Sequence, residues 1–279
     1  MKPTVCLTFD FDAISLWLAR GTTTPGPVSR GEFGAFAIPR ILELLRRHDI
    51  RSTFFIPAHT LQSYPAQCSA IAEAGHELAL HGDRHEPVST LDRAQELAAN
   101  LRGVEQIRRL TGAAPRGHRT PSFDFTPNTV DILTEIGVDY DSSLMGADST
   151  AYFVRGGDLD EPGEAYRFGR ETSVVELPVS WTLDDYPHLE FYRAPGTVMP
   201  GLQSARVMFE NFLADVRYLT ERVRDGFLVV TLHPQVIGRG GRMLELERFV
   251  EQVFALGARF DRCDDVAVRA RGELGAGIR

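Results

Sequence analysis

The segment Val5–Ala13, VCLTFDFDA, ends an apolar run on two carboxylates, Asp10 and Asp12, one residue apart. The run reads as a buried strand. Side chains alternate along an extended chain, so Asp10 and Asp12 point to the same side and Phe11 to the other. Two like charges held that close repel, and taking either of them out of water is costly. A proton or a cation between them relieves the repulsion, so this segment asks the rest of the chain for a partner.

Outward from it, strand-like and helix-like segments alternate. A Gly/Pro/Thr-rich loop, Gly21 to Arg30, leads to AIPRILELLRRHDI, where Ile38, Ile41, Leu44 and Leu45 recur at helical spacing. STFFIP, HELALHG, VDYDSSL, SVVELPVSW, FLVVTLHP and a short RFDRCDDV read as further strands. Helices are predicted around CSAIAEAG, from Leu97 to Leu110, and over NTVDILTEIG, ARVMFENFLADVRYLTERVRDG and LELERFVEQVFALG. Gly75, Gly112, Gly137, Gly226 and Gly257 punctuate the helix ends. Met145 to Arg170 reads as irregular and polar. The repeated αβ order predicts an α/β fold with a mainly parallel sheet. About seven strands in one chain predict a closed or partly closed barrel. Asp10, Asp12, His81 and His233 each follow an apolar strand core. In parallel α/β folds such strand ends converge on the C-terminal rim, where active sites form.

Composition narrows the function. With 279 residues, 43% apolar and 24% charged, the chain is expected to form a single catalytic domain over 1–279, with the last residues, GELGAGIR, frayed. A formal net charge of −8 argues against a nucleic-acid partner. No apolar run is long enough for a membrane span. The first strand begins almost at Met1 and leaves no room for a secretory leader, so a cytoplasmic location is expected. Cys6, Cys68 and Cys263 are too widely spaced for a disulfide framework or a Cys-rich metal site. Lys2 is the only lysine, which sets aside mechanisms that need a catalytic lysine. A phosphatase of the haloacid-dehalogenase type also opens with Asp-x-Asp after an apolar strand. It relies on a lysine downstream of that motif, and here Lys2 precedes it.

The partner for the aspartates is offered by HGDRH. If the chain turns helical there, His81 and His85 face one way and grip a single ion. Two imidazoles and the Asp12 carboxylate leave coordination positions open, the pattern of a catalytic site. Either histidine alone is more often a core or surface residue, so the weight lies on the combination. TLHPQ supplies His233, a candidate general acid or base. GHRTPSF supplies Arg119, whose guanidinium suits orienting a carboxylate by paired hydrogen bonds.

Taken in order, TFDFD, HGDRH, RTPSF, LPVSW and TLH resemble the motifs of the polysaccharide deacetylase superfamily, carbohydrate esterase family four, from about Val5 to Val236. The resemblance implies a distorted (β/α)7-type barrel that hydrolyses a non-peptide C–N bond. It implies Asp10 as general base, Asp12, His81 and His85 as ligands of Zn2+ or another divalent ion such as Co2+, Ni2+ or Mn2+, His233 as general acid and Arg119 as the residue that orients Asp10. A backbone N–H near the metal would share the oxyanion. Phe11 separates aspartates that are adjacent in the usual pattern, and Glu176, Asp184 or Asp185 is the expected acidic partner of His233. DFDA, SRGEFG, YDSSLMG and WTLDD are similar to a cytoplasmic branch containing peptidoglycan-deacetylase-like proteins, cyclic imide hydrolases and a metal-independent allantoinase. That branch implies a homo-oligomer, a dimer or tetramer.

The expectation that there is no leader, together with segments Gly21–Gly34, Met145–Arg170 and Trp181–Pro200 that would roof the mouth, points to a small cyclic imide, ureide or acylated amine. The alternative is N-deacetylation of acetylated sugars or of short peptidoglycan or chitin fragments, and a second alternative is a non-catalytic metal-binding barrel. Phe33, Phe123, Trp181 and Tyr186, with Asp184 and Asp185, are the candidate pocket residues.

Overall fold

The computed structural model describes residues 2–194, 197–199 and 201–276. Its strands are β1 (Thr4–Asp10), β2 (Thr53–Ile56), β3 (Glu77–Leu80), β4 (Gly117–His118), β5 (Tyr140–Asp141) and β6 (Tyr152–Gly156). They continue with β7 (Arg170–Glu176), β8 (Tyr192–Ala194), β9 (Thr197–Met199), β10 (Phe227–Leu232) and β11 (Arg259–Phe260). The helices are α1 (Ser15–Ala19), α2 (Pro25–Arg47), α3 (Ala58–Ser63), α4 (Pro65–Glu73), α5 (Arg93–Thr111) and α6 (Thr129–Ile136). After them come α7 (Asp185–Leu189), α8 (Ala205–Arg222), α9 (Pro234–Ile237), α10 (Gly240–Ala255) and α11 (Cys263–Ala276).

Nine strands form one sheet in the order β10-β1-β2-β3-β4-β5-β7-β6, with β11 added along β1, while β8 and β9 pair separately. In the large sheet all pairings are parallel except β6 with β7. The sheet curls into a half-barrel with helices around it, a distorted (β/α) barrel. On the open side between β6 and β10, Phe227 N–H donates to the Ser149 carbonyl at 3.0 Å and Asp184 pairs with Thr231.

Side-chain parity explains where the polar residues fall. Val5, Leu7 and Phe9 join the apolar layer between sheet and helices, as do Phe54 and Ile56, Leu78 and Leu80, and Leu228, Val230 and Leu232. Phe9 and Phe54 stack there with ring centroids 4.9 Å apart. Burying a side chain of that size contributes about 1.5–3 kcal/mol. Cys6, Phe55, Ala79 and Val229 belong to the opposite set, facing the barrel interior. Continuing this alternation by twos brings Asp10, His81 and His233 to the interior face at the C-terminal end of their strands. At the other end Glu77 accepts from Thr53 Oγ1 (2.7 Å), Tyr140 OH (2.8 Å) and Asp264 N–H (3.1 Å). Gly117 makes room for Tyr140, since a Cβ there would stand 2.0 Å from its ring.

Several local expectations need correction. The Gly21–Arg30 stretch is mostly helix: α2 starts at Pro25, where proline's missing N–H costs nothing, and runs through Pro39. Gly31 lets that helix press on the turn after Asp12, because a Cβ would meet the Ala13 carbonyl oxygen at 2.5 Å. The Met145–Arg170 segment contains β6, held antiparallel to β7. Only Arg259–Phe260 of RFDRCDDV is extended, and Cys263 already begins α11. That helix carries the expected frayed tail to Ala276; residues 277–279 lie outside the described residues. Helix α8 stops at Arg222, and Asp225 rather than Gly226 takes the left-handed backbone, at φ 59°. Among the described residues no helix is long and apolar enough to cross a membrane.

Candidate active site

Strand β1 hands Asp10 and Asp12 to the rim, and the chain then turns sharply through Ala13, at φ 48°. The turn is pinned where Ser15 N–H donates to the Asp12 carbonyl at 3.0 Å, as does Thr60 Oγ1 at 2.8 Å. His81 follows β3. HGDRH is not helical, as the four-residue spacing had suggested; it is a loop in which His85 adopts a left-handed φ of 61°. Such backbone costs of order 1 kcal/mol or more and persists only where neighbours enforce it. Here the Gly82 and Asp83 carbonyls accept from Ala58 and His59 N–H at 3.1 and 2.9 Å, and Arg102 holds the Asp83 carboxylate at 2.8 Å. The loop brings the two imidazoles edge to face, with centroids 5.2 Å apart.

His81 Nδ1 lies 2.9 Å from the Arg119 carbonyl oxygen. A carbonyl only accepts, so Nδ1 carries the proton and Nε2 of the neutral ring is a lone pair. That nitrogen faces Asp12 Oδ1 at 3.4 Å and Asp10 Oδ2 at 3.7 Å. His85 Nε2 is 3.7 Å from the same Asp12 oxygen. Both Asp12 Oδ1 and His81 Nε2 are buried without a hydrogen bond. Ligand atoms of Asp12, His81 and His85 lie within 4.8 Å of one another. A lone pair and a carboxylate oxygen turned towards each other in a dry site repel unless a cation or proton lies between, so this donor set fits a divalent ion with open positions. In the ion-free arrangement, burial alone would raise Asp12, but His85, His81 and His233 outweigh it and hold its carboxyl well below the usual range. Burial lowers His81 while Asp10 and Asp12 raise it, with a net rise; burial depresses His85 to about 4, helped by His81 and Arg20.

Arg119, fully buried, donates from one terminal nitrogen to Asp10 Oδ1 at 2.6 Å and to Thr8 Oγ1 at 3.0 Å. Its other donors go to the Ser142 carbonyl (3.0 Å) and Ser142 Oγ (3.1 Å), so Asp10 receives a single bond rather than the paired bonds expected from the sequence. His233 donates its backbone N–H to Asp185 at 3.1 Å, and its Nδ1 sits 2.8 Å from Asp185 Oδ1. Of the three acidic partners considered, Asp185 fills the place. Glu176 instead accepts from the Ser143 and Leu144 N–H groups (3.0 and 2.9 Å), and Asp184 Oδ1 caps α7 through Tyr186 N–H at 2.7 Å. Burial works against a charge on His233, yet Asp184 and Asp185 raise it well above its ordinary value. Burial pushes Asp184 up to about 7.

A cavity of about 110 Å3 opens over Asp10, Asp12, His85 and His233. Phe123, Trp181, Asp184 and Tyr186 stand in its wall; Phe123 and Trp181 are packed with centroids 4.6 Å apart. Phe33 does not: it lies on α2 beneath the Arg239 guanidinium, 3.5 Å away. Asp185 is fully buried behind His233. The Trp181–Pro200 segment contributes Trp181, Asp184, Tyr186 and Pro187, while residues 195, 196 and 200 lie outside the described residues. Leu16, Arg20, Ser122 and Pro187 also line the cavity, and Gln235 Nε2 donates to Asp12 Oδ2 at 3.2 Å. Sequence reasoning missed all five. Only Gln235, two residues after His233, carried a positional hint. A larger cavity, about 450 Å3, lies around Lys2, Phe153, Phe227 and Arg269 and touches none of these groups.

A family model described as polysaccharide deacetylase matches residues 1–140. The peptidoglycan deacetylase of Helicobacter pylori is 33% identical over 258 residues, covering 88% of this chain and 87% of its own. The peptidoglycan deacetylase-like protein FGM2 of Gibberella zeae is 31% identical over 203 residues, covering 67% of this chain and 60% of its own. A crystal structure from Mycobacterium smegmatis, named for the polysaccharide deacetylases, superposes with a TM-score of 0.84 at 30% identity over 98% of this chain and 91% of that one. The Puue allantoinase structure superposes at 0.74 over 95% of this chain and 88% of its own; at 23% identity it speaks for the fold alone.

Proposed function

Since the chain belongs to the polysaccharide deacetylase family, hydrolases of non-peptide C–N bonds, we propose that it is a metal-dependent N-deacetylase of N-acetylated amino sugars or short glycan fragments. The observation that carries metal dependence is the facing pair of unbonded atoms, Asp12 Oδ1 and His81 Nε2. The names of the relatives favour a sugar N-acetyl group over the cyclic imide that the sequence reading preferred. One ground for that preference has also gone, because most of Gly21–Gly34 is helix rather than a roofing loop. The cavity, about 110 Å3, suits an acyl-amide group with the rest of the substrate outside. It also admits a small ring, which keeps imide or ureide hydrolysis as a second reading.

Asp12, His81 and His85 would hold Zn2+ or a similar ion, which on binding would acidify water towards a pKa of ~7 and polarise the substrate carbonyl. Asp10, fixed through Oδ1 by Arg119, keeps Oδ2 on the cavity side to take the proton of the attacking water. Gln235 holds the remaining Asp12 oxygen. His233, with Nδ1 anchored on Asp185, presents Nε2 to the cavity, 3.9 Å from Asp12 Oδ2, where it gives a proton to the departing nitrogen. Water's oxygen ends on the carbonyl carbon, the C–N bond breaks, and acetate and a free amine leave.

The test is acetate release from chito-oligosaccharides and peptidoglycan fragments by metal-loaded protein, beside hydantoin, succinimide and allantoin. Acetate release is expected. Ring opening of an imide or ureide with no acetate from any sugar would overturn the sugar assignment.

A further inference from the structure

Strand β2 lies between β1 and β3 in the sheet, so α3, which follows it, reaches both segments that carry the metal-ligand candidates. Three consecutive residues make the connection. Ala58 and His59 N–H donate to the Gly82 and Asp83 carbonyls at 3.1 and 2.9 Å, inside the loop between His81 and His85. Thr60 reaches the other way, its Oγ1 donating to the Asp12 carbonyl at 2.8 Å. A carbonyl only accepts, so the Thr60 proton is committed there. At the 2.8 Å contact between Ser15 Oγ and Thr60 Oγ1 the donor is therefore Ser15. With its own proton used, Ser15 Oγ accepts from His59 Nδ1 at 2.9 Å. Every proton in the chain His59, Ser15, Thr60 thus points towards Asp12.

Each of the two clasped segments contains a non-glycine residue in left-handed backbone: Ala13 beside Asp12, at φ 48°, and His85 itself, at φ 61°. Such backbone persists only where its surroundings impose it. On the Asp12 side the imposing groups are Ser15 N–H, at 3.0 Å, and Thr60 Oγ1, which together fill both lone pairs of the Asp12 carbonyl. Ser15 and Thr60 are fully buried, so water does not replace a donor that is removed.

We propose that Thr60 and Ser15 are positioning residues that keep the Asp12 turn in its strained, ligand-ready form, so that affinity for the divalent ion depends on a hydrogen-bond chain touching no ligand atom. This role rests on the metal-dependent reading given above. Without the chain the turn relaxes in the ion-free protein, and the ion has to restore it on binding, so the loss is read as weaker uptake.

The experiment measures the Zn2+ dissociation constant by competition with a chromophoric chelator, together with the melting temperature of each ion-free protein. Thr60→Val, close in shape but without the donor, is expected to weaken Zn2+ binding by about tenfold or more. Thr60→Ser, which keeps the hydroxyl, should restore most of that affinity. Ser15→Ala should weaken binding less than Thr60→Val, and the double variant no more than Thr60→Val alone, because both residues act through one chain. If Thr60 serves packing only, Thr60→Val lowers the melting temperature of the ion-free protein and leaves the dissociation constant unchanged, which overturns the proposal. So does a Thr60→Ser variant as weak as Thr60→Val, since the methyl group rather than the hydroxyl then matters. Either result leaves the metal-dependent reading standing, whereas wild type that takes up no Zn2+ contradicts that reading and the proposal with it.

Discussion

His81 Nδ1 donates to the Arg119 carbonyl oxygen at 2.9 Å, so the residue that orients Asp10 through its side chain also sets the tautomer of His81 through its backbone. The same short segment after β4 thus serves both the base and the metal side of the site.

His81→Ala and His85→Ala are expected to abolish stoichiometric uptake of divalent metal, read by elemental analysis, while circular dichroism stays that of the wild type. Added Zn2+ should raise the melting temperature of wild type and leave both variants unmoved, since an ion that binds only the folded state stabilises it. A variant that still takes up one equivalent removes that histidine from the ligand set.

Asp10→Asn should retain metal and lose turnover by roughly two to four orders of magnitude. An unaffected rate removes Asp10 from the base role. Arg119→Ala strips the partner from a carboxylate that is only 3% exposed. Breaking such a pair costs about 3–5 kcal/mol, which chemical denaturation will register.

Asp185→Asn keeps an oxygen for His233 Nδ1 but removes a negative charge that raises His233. A general acid works only while protonated, so a lower His233 pKa moves the alkaline limb of the kcat/KM profile to lower pH. A limb that stays in place contradicts the assignment of His233 as the acid.

Far from the site, burial pushes Glu77 from the usual 4.5 up to about 7, helped by Asp264. Between those values the unfolded chain has released a proton that the folded chain still holds, so stability falls as pH rises through that window. Glu77→Gln should flatten this loss, a difference of roughly 1–3 kcal/mol between pH 5 and pH 8. Parallel denaturation curves for wild type and variant at both pH values would contradict it.

The sequence made the barrel and the Asp–His–His cluster legible because strand parity and rim convergence are properties of alternation, readable from TFDFD, ELALHG and VVTLH alone. Phe33 was misplaced because an aromatic beside a glycine looks the same in a loop as on a helix flank, and the helix start at Pro25 decides between them. Arg20 and Gln235 were invisible because their places at the site depend on where short helices α1 and α9 lie against the rim. The spacing of His81 and His85 suggested the right neighbours through the wrong backbone: a left-handed residue, not a helical turn, joins them.

Anomalous diffraction from crystals of the protein loaded with Zn2+ or Co2+ tests the central claim most directly. One peak at bonding distance from His81 Nε2, His85 and the Asp12 carboxylate, lost together with acetate release on chelation, is the expected result. Full turnover by rigorously chelated protein, or an ion seated elsewhere with His81 Nε2 still unbonded, would contradict it.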